Sequence, residues 1–349
     1  MRVVIVGATG NVGTSLLRAL AHEPAVDEIV GVARRVPGLQ FEKTAWRQAD
    51  IVSDDLAGLF RGADCVVHLA WAIQPSHDEQ ALWRVNVYGG RRVFQAAAQA
   101  GVASLVYASS VGAYSRGPKD RAVDESWPTN GIPTSFYSRH KAETERLLDA
   151  LEREHPGLRV VRLRPGLIFK REAAAEIRRL FAGPLVPGLL AHPRLIPIVP
   201  DIPGLRVQAV HSYDVGEAYR QAIVRQVRGA FNVAAEPVLD ATAFSAALDA
   251  RAVRVPARVA RGLVAATWRL HLQPTPAGWV DLALGVPILD TTRARTELGW
   301  QPRWGADEAL LDLLDGLRGG DGLGTPPLAP RAGGRARERE LATGVGSRQ

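Results

Sequence analysis

The chain has 349 residues, 46% of them hydrophobic, enough for one large domain or a nucleotide-binding domain with a smaller partner. No run reaches the ~18 uncharged apolar residues of a spanning helix, and the apolar N-terminal run breaks at Gly7–Asn11 with no small-residue cleavage site, which argues against a membrane span and against export. The net charge of +7 is spread over single arginines and pairs (Arg34-Arg35, Arg91-Arg92, Arg178-Arg179) rather than tracts, with one cluster (Arg335, Arg337, Arg339) interrupted by Glu338 and Glu340, so no nucleic-acid partner is expected, and the single cysteine, Cys65, points to a reducing cytoplasm.

In chain order, apolar or β-branched runs predict strands over 2–6, 28–33, 44–48, 65–69, 103–108, 158–163 and 229–233. Helical patterns over 12–22, 81–100 and 138–153 alternate with them. This alternation predicts an α/β fold, a Rossmann-type doubly wound parallel sheet with helices on both faces. Residues 1–166 form the expected dinucleotide-binding domain, to which 206–235 return. Residues 167–205 and 236–316 form a smaller, mostly helical substrate-binding region. The Gly-, Pro- and Arg-rich stretch 317–349 has the composition of a disordered tail.

Gly7, Gly10 and Gly13 fall three apart at the first strand-to-helix turn. Missing side chains there let backbone N–H groups approach a pyrophosphate, and the helix N-terminus favours its charge. Thr9, Asn11 and Val12 complete that loop. The second strand ends at Ala33 with Arg34 and Arg35 next, where an acid would bind the ribose 2′-hydroxyl of NAD. Two guanidinium groups suit a 2′-phosphate, so NADP(H) is favoured over NAD(H). Asp50 and Ile51 after the third strand are candidates for the adenine, with Asp50 alternatively a helix cap. The backbone of Leu69, Ala70 and Trp71 leaves the fourth strand towards the nicotinamide side, while His68 reads as a core residue.

Tyr137 and Lys141 lie four apart at a helix start, which puts them on one face. An ammonium beside a phenol lowers the phenol's pKa. Ser109 and Ser110 leave the fifth strand beside the expected cofactor, where a hydroxyl can donate to a substrate carbonyl.

These stretches together resemble the extended short-chain dehydrogenase/reductase family, the NAD-dependent epimerase/dehydratase group, from Met1 to about Leu314. "GATGNVG" is similar to its cofactor loop, "DCVVHLAW" to its fourth-strand motif, and "YASSVGAY" and "YSRHK" to its catalytic motifs. The resemblance implies that Ser110, rather than Ser109, holds the substrate oxygen, that Tyr137 and Lys141 are the catalytic pair, and that Asn86 organises a water and the lysine. It also implies that Pro165 and Gly166, after Arg164, flank the nicotinamide, and that the chain forms a homodimer. Dehydratases of the family carry Asp-Glu where this chain has Val111-Gly112, so elimination is not expected.

The reading that results is an NAD(P)-dependent oxidoreductase acting on a small hydrophobic carbonyl or secondary alcohol. Phe169–Leu205 is apolar and proline-rich and suits a pocket wall; its Arg171, Arg178, Arg179 and Arg194 read as solvated charges. Trp71, Trp83, Trp127 and Tyr114 are candidates for the lining. The alternatives are a nucleotide-sugar epimerase with tightly bound NAD and a non-catalytic NADP sensor similar to the NmrA-like relatives, which share "GATGNVG". No metal ligand set is evident.

Overall fold

A computed structural model describes residues 1–182 and 197–330. Seven strands make one sheet: β1 (Arg2–Val6), β2 (Glu28–Ala33), β3 (Thr44–Gln48), β4 (Cys65–His68), β5 (Ser104–Ala108), β6 (Arg159–Pro165) and β7 (Gly229–Val233). Their spatial order is β7-β6-β5-β4-β1-β2-β3, and every neighbouring pair is parallel. The order reverses at β1, which opens a crevice at the carboxyl ends of β1 and β4, where Val6 lies opposite His68.

The apolar strand runs are explained by burial on both faces. Val3 and Ile5 enter one core with Leu16, Leu17 and Leu20 of α1 (Asn11–Ala21). Val4 and Val6 enter the other, with Val93 and Phe94 of α2 (Gly90–Gln99) and Leu148 and Leu151 of α3 (Phe136–Glu154). A fourth helix, α4 (Ser212–Val224), packs on α1 so closely that a Cβ on Gly216 would lie 2.7 Å from the Ser15 carbonyl oxygen.

The expected helix over 81–100 is three pieces: Glu79–Trp83, a wider-wound turn Arg84–Gly89, and α2. Ile51 presses on the turn at Gly89, where a Cβ would be 2.8 Å from its Cδ1. The region after β7 holds helices Ala241–Leu248, Ala257–Arg269 and Gly278–Gly285, interrupted by a strand, Arg251–Arg254, paired in parallel with Ile198–Asp201.

The expectation of disorder from residue 317 fails for its first part. A helix, Ala306–Gly319, ends at left-handed Gly320, and the chain returns to the domain. Leu328 and Thr325 become buried, and the Thr325 hydroxyl donates to the Thr9 carbonyl over 2.9 Å. Glycine and proline contribute little core of their own, but they shape the turns that let these two side chains tuck in, which average composition does not register. Residues 183–196 of the expected apolar wall, Arg194 among them, and Arg335, Arg337 and Arg339 lie outside the described residues.

Candidate active site

The glycine turn closes the crevice at β1. Gly7 adopts φ +89°, and a Cβ there would lie 2.6 Å from the Ala70 nitrogen; one on Gly13 would lie 2.6 Å from the Ala8 carbonyl oxygen. Gly10 opens α1, and no side chain caps the helix. A Cβ on Gly10 would approach only the Gly7 oxygen, at 3.6 Å, so the space above the helix start is left clear. This cradle fits a dinucleotide's diphosphate. Asn11 turns its amide to the Ile168 carbonyl at 3.2 Å, tying the loop to strand Leu167–Phe169. Val12 packs partly buried against the core.

Arg34 and Arg35 are exposed just past β2. The Asp50 carboxylate accepts from the Val52 N–H at 2.8 Å, while Asp55, not Asp50, caps the next helix. Ile51 is buried against Gly89. Leu69 continues the β4 line through its N–H to the Val6 carbonyl. His68 is buried among Phe94 and Tyr107, and desolvation pushes its pKa down to about 3, so it is a neutral core residue.

At the other wall, Ser110 caps a short turn, Val111–Ala113, accepting from the Gly112 N–H at 3.0 Å, and its hydroxyl borders Gly112 on the side of the Tyr137 ring. Tyr137 sits in the first turn of α3, which Ser135 caps. Gly112 makes room for it: a Cβ there would be 2.7 Å from the ring. Desolvation raises the Tyr137 pKa to about 12, only partly opposed by Ser110.

The expected lowering by Lys141 is not what the geometry provides. Its ammonium donates to the Ala108 carbonyl at 2.6 Å and lies 3.5 Å from the centre of the Trp71 ring, but 5.8 Å from that of Tyr137. A buried cation is drawn to the carbonyl and the indole face, and burial pulls its own pKa well down.

Three other expectations change. Ser109 points away from the crevice, its hydroxyl donating to Glu145 within the protein. Asn86 clamps Ala72, accepting from its N–H at 2.7 Å and donating to its carbonyl at 2.8 Å, with its amide 3.4 Å from His140 rather than on the lysine. Of the four expected lining aromatics, Trp71 alone contacts Tyr137. Tyr114 is fully buried on Asn232 and Arg164, Trp83 faces solvent beside His140, and Trp127 packs by Tyr114. The sequence reading missed Trp279, whose ring lies 4.9 Å from Tyr137 and 4.9 Å from Phe181. Nothing local to Trp279 signals this, because helix Gly278–Gly285 arrives there only through the tertiary fold.

Pro165 and Gly166 end β6 opposite Val233, and a Cβ on Gly166 would lie 2.4 Å from the Gln208 oxygen. Arg164 is structural: it and Arg162 flank buried Glu145. Burial alone would raise Glu145, but the guanidiniums and Ser109 outweigh it and hold the carboxyl at about 2.

The model of the NAD dependent epimerase/dehydratase family matches residues 3–183. The chain belongs to this family. Among curated relatives of this family member, the uncharacterized protein Rv2047c of Mycobacterium tuberculosis is 28% identical over 333 residues, 93% of this chain but 31% of that protein. The chain thus spans about a third of the first such relatives. A putative dihydroflavonol 4-reductase of Synechocystis is 31% identical over 155 residues, 42% of this chain and 44% of its own. Among solved structures, a UDP-glucose 4-epimerase of Thermus thermophilus in complex with NAD superposes with TM-score 0.66 at 21% identity, covering 91% of this chain and 99% of its own. DesIV, a dTDP-glucose 4,6-dehydratase from Streptomyces venezuelae with NAD bound, gives 0.66 at 18%, covering 91% and 97%. These two establish likeness of fold.

Proposed function

We propose that this chain is an NAD(P)-dependent oxidoreductase that interconverts a hydrophobic carbonyl compound and its secondary alcohol. The observation that carries it is the placing of the Ser110 hydroxyl and the Tyr137 ring side by side around Gly112, with Trp71 and Trp279 against Tyr137 and Phe181 behind Trp279. Aromatic surface around two convergent hydroxyls suits an apolar substrate with one polar oxygen. The matched reductase of Synechocystis is consistent with that class.

The nicotinamide cofactor would exchange a hydride with the substrate carbon. Ser110 holds the substrate oxygen. Tyr137, protonated at neutral pH, gives its proton to that oxygen during reduction and takes it back during oxidation. Lys141, fixed on the Ala108 carbonyl, shares the helix face of Tyr137. Replacing Tyr137 with Phe is expected to lower turnover ~10²–10⁴-fold in a carbonyl panel. Cofactor affinity, followed by fluorescence titration, should stay within a few-fold; turnover at the native rate would remove the assignment.

Exposed Arg34 and Arg35, with Ala33 in place of an acid, favour NADP(H). The double change Arg34→Ala, Arg35→Ala should weaken NADPH about tenfold and leave NADH unchanged, the difference one or two phosphate contacts make. Equal loss for both would remove the 2′-phosphate role. Mass spectrometry of nucleotide released on denaturation tests the competing epimerase reading, which requires NAD retained through purification.

A further inference from the structure

Lys170 follows strand Leu167–Phe169 and is fully buried. Its ammonium donates to the Asn11 carbonyl at 2.8 Å, Thr14 Oγ1 at 2.7 Å and Ser15 Oγ at 3.0 Å, all in the first turns of α1. All three acceptors are uncharged. Among the described residues, no carboxylate lies within ion-pair distance of it.

Of the charged groups around it, Glu172 and Asp312 are otherwise engaged, and Glu172 and Glu176 act on it through space. Glu172, from the turn Arg171–Ala173, accepts from Arg18 at 2.9 Å and from the Tyr213 hydroxyl at 2.6 Å. Tyr213, on α4, presents its ring 5.8 Å from the ammonium. Asp312, on helix Ala306–Gly319, accepts from the Arg171 N–H at 2.8 Å and lies 3.1 Å from His211. Glu176, on helix Ala174–Phe181, is partly buried.

A buried cation with no carboxylate in direct contact is costly, and the N-terminal end of α1 adds positive potential of its own. An anion seated above Gly10 would relieve both. We infer that Lys170 is a charge-bearing positioning residue of the dinucleotide site: it pins the first turns of α1, and its ammonium attracts the diphosphate bound at that helix start. The inference rests on the dinucleotide reading above. Burial pulls Lys170 down to about 7, so the free site is partly neutral at physiological pH, and diphosphate binding draws a proton onto it. Affinity for the diphosphate therefore falls as pH rises through 7. Burial also raises Glu176 to about 7, and its ionisation acts in the same direction, so the two must be separated by mutation.

Calorimetric titration with ADP-ribose isolates the diphosphate, because this probe lacks both the nicotinamide and a 2′-phosphate. The native protein should bind about tenfold more weakly at pH 9 than at pH 6, the factor a unit charge within ~10 Å supplies at an effective dielectric near 20. At pH 7, two buffers of different ionisation heat should report proton uptake. Lys170→Met should bind weakly at every pH, Lys170→Arg tightly at every pH, and Glu176→Gln should keep most of the dependence. A purely structural lysine predicts none of the proton uptake. A flat profile in the native protein, or an unchanged slope in Lys170→Met, overturns the inference. Should Lys170→Met not fold, the native proton count and the Lys170→Arg profile decide. A native protein that binds neither ADP-ribose, NADH nor NADPH at any pH removes the dinucleotide reading itself, a separate result.

Discussion

The two walls of the crevice are built by opposite means. On the β1–β3 side, geometry comes from absent side chains: Gly7 and Gly13 let backbone approach backbone at distances no Cβ would permit. On the β5–β7 side it comes from buried charge. Glu145 joins Ser109, Arg162 and Arg164, and Arg164 reaches the Tyr114 hydroxyl, which donates to Asn232. At Gly7 and Gly13 the first wall has no room for an added atom; the second depends on its buried charge.

Removing charge from the second wall should have the larger effect. Glu145→Gln leaves two guanidiniums buried without their shared partner, a loss of about 3–5 kcal/mol in denaturant unfolding. Catalysis should fall with it, while cofactor affinity changes little. The sign with pH follows from a carboxyl held low in the folded state. Its stabilisation is complete above the ordinary value of 4.5 and is lost as pH falls towards 2. The native protein should therefore lose stability steeply below pH 4.5, and the variant less so. Parallel acid profiles would show that the two walls do not differ as described.

Adding an atom to the first wall is the reciprocal test. Gly13→Ala puts a Cβ 2.6 Å from a backbone oxygen that cannot rotate away. A cost of about 1–3 kcal/mol is expected, typical of an overpacked interior. Here the loss should appear in dinucleotide affinity at least as strongly as in stability, because the displaced backbone is the cradle itself. Unchanged affinity would mean that the loop yields without disturbing the helix start.

This contrast also explains what could be read from the sequence. β1, β2, β3 and β7 lie where the apolar runs put them, and the glycines mark their turn by spacing alone. Tyr137 and Lys141 share a helix face as their spacing requires, yet the direction of the ammonium depends on Ala108 and Trp71, which no local pattern connects to it. Ser109 and Ser110 are adjacent just past β5, yet one hydroxyl turns to Glu145 and the other to the Gly112 N–H beside the Tyr137 ring. Choosing between them needed the family resemblance. Glu145 itself reads as one more acid on an amphipathic helix, because its partners lie 17 and 19 residues away on β6.

The smallest effect concerns a contact outside both walls. Thr325 reaches the first wall from the C-terminal stretch, its hydroxyl on the Thr9 carbonyl, and Arg179 holds the same stretch through the Pro327 carbonyl at 2.6 Å. Thr325→Val keeps the buried shape and removes one donor, so about 1 kcal/mol of stability should be lost. If the stretch braces the cradle, dinucleotide release, followed by stopped-flow displacement, should quicken in the same variant. If release is unchanged while stability falls, the contact only anchors the chain end, and the first wall stands on its glycines and on α1 alone.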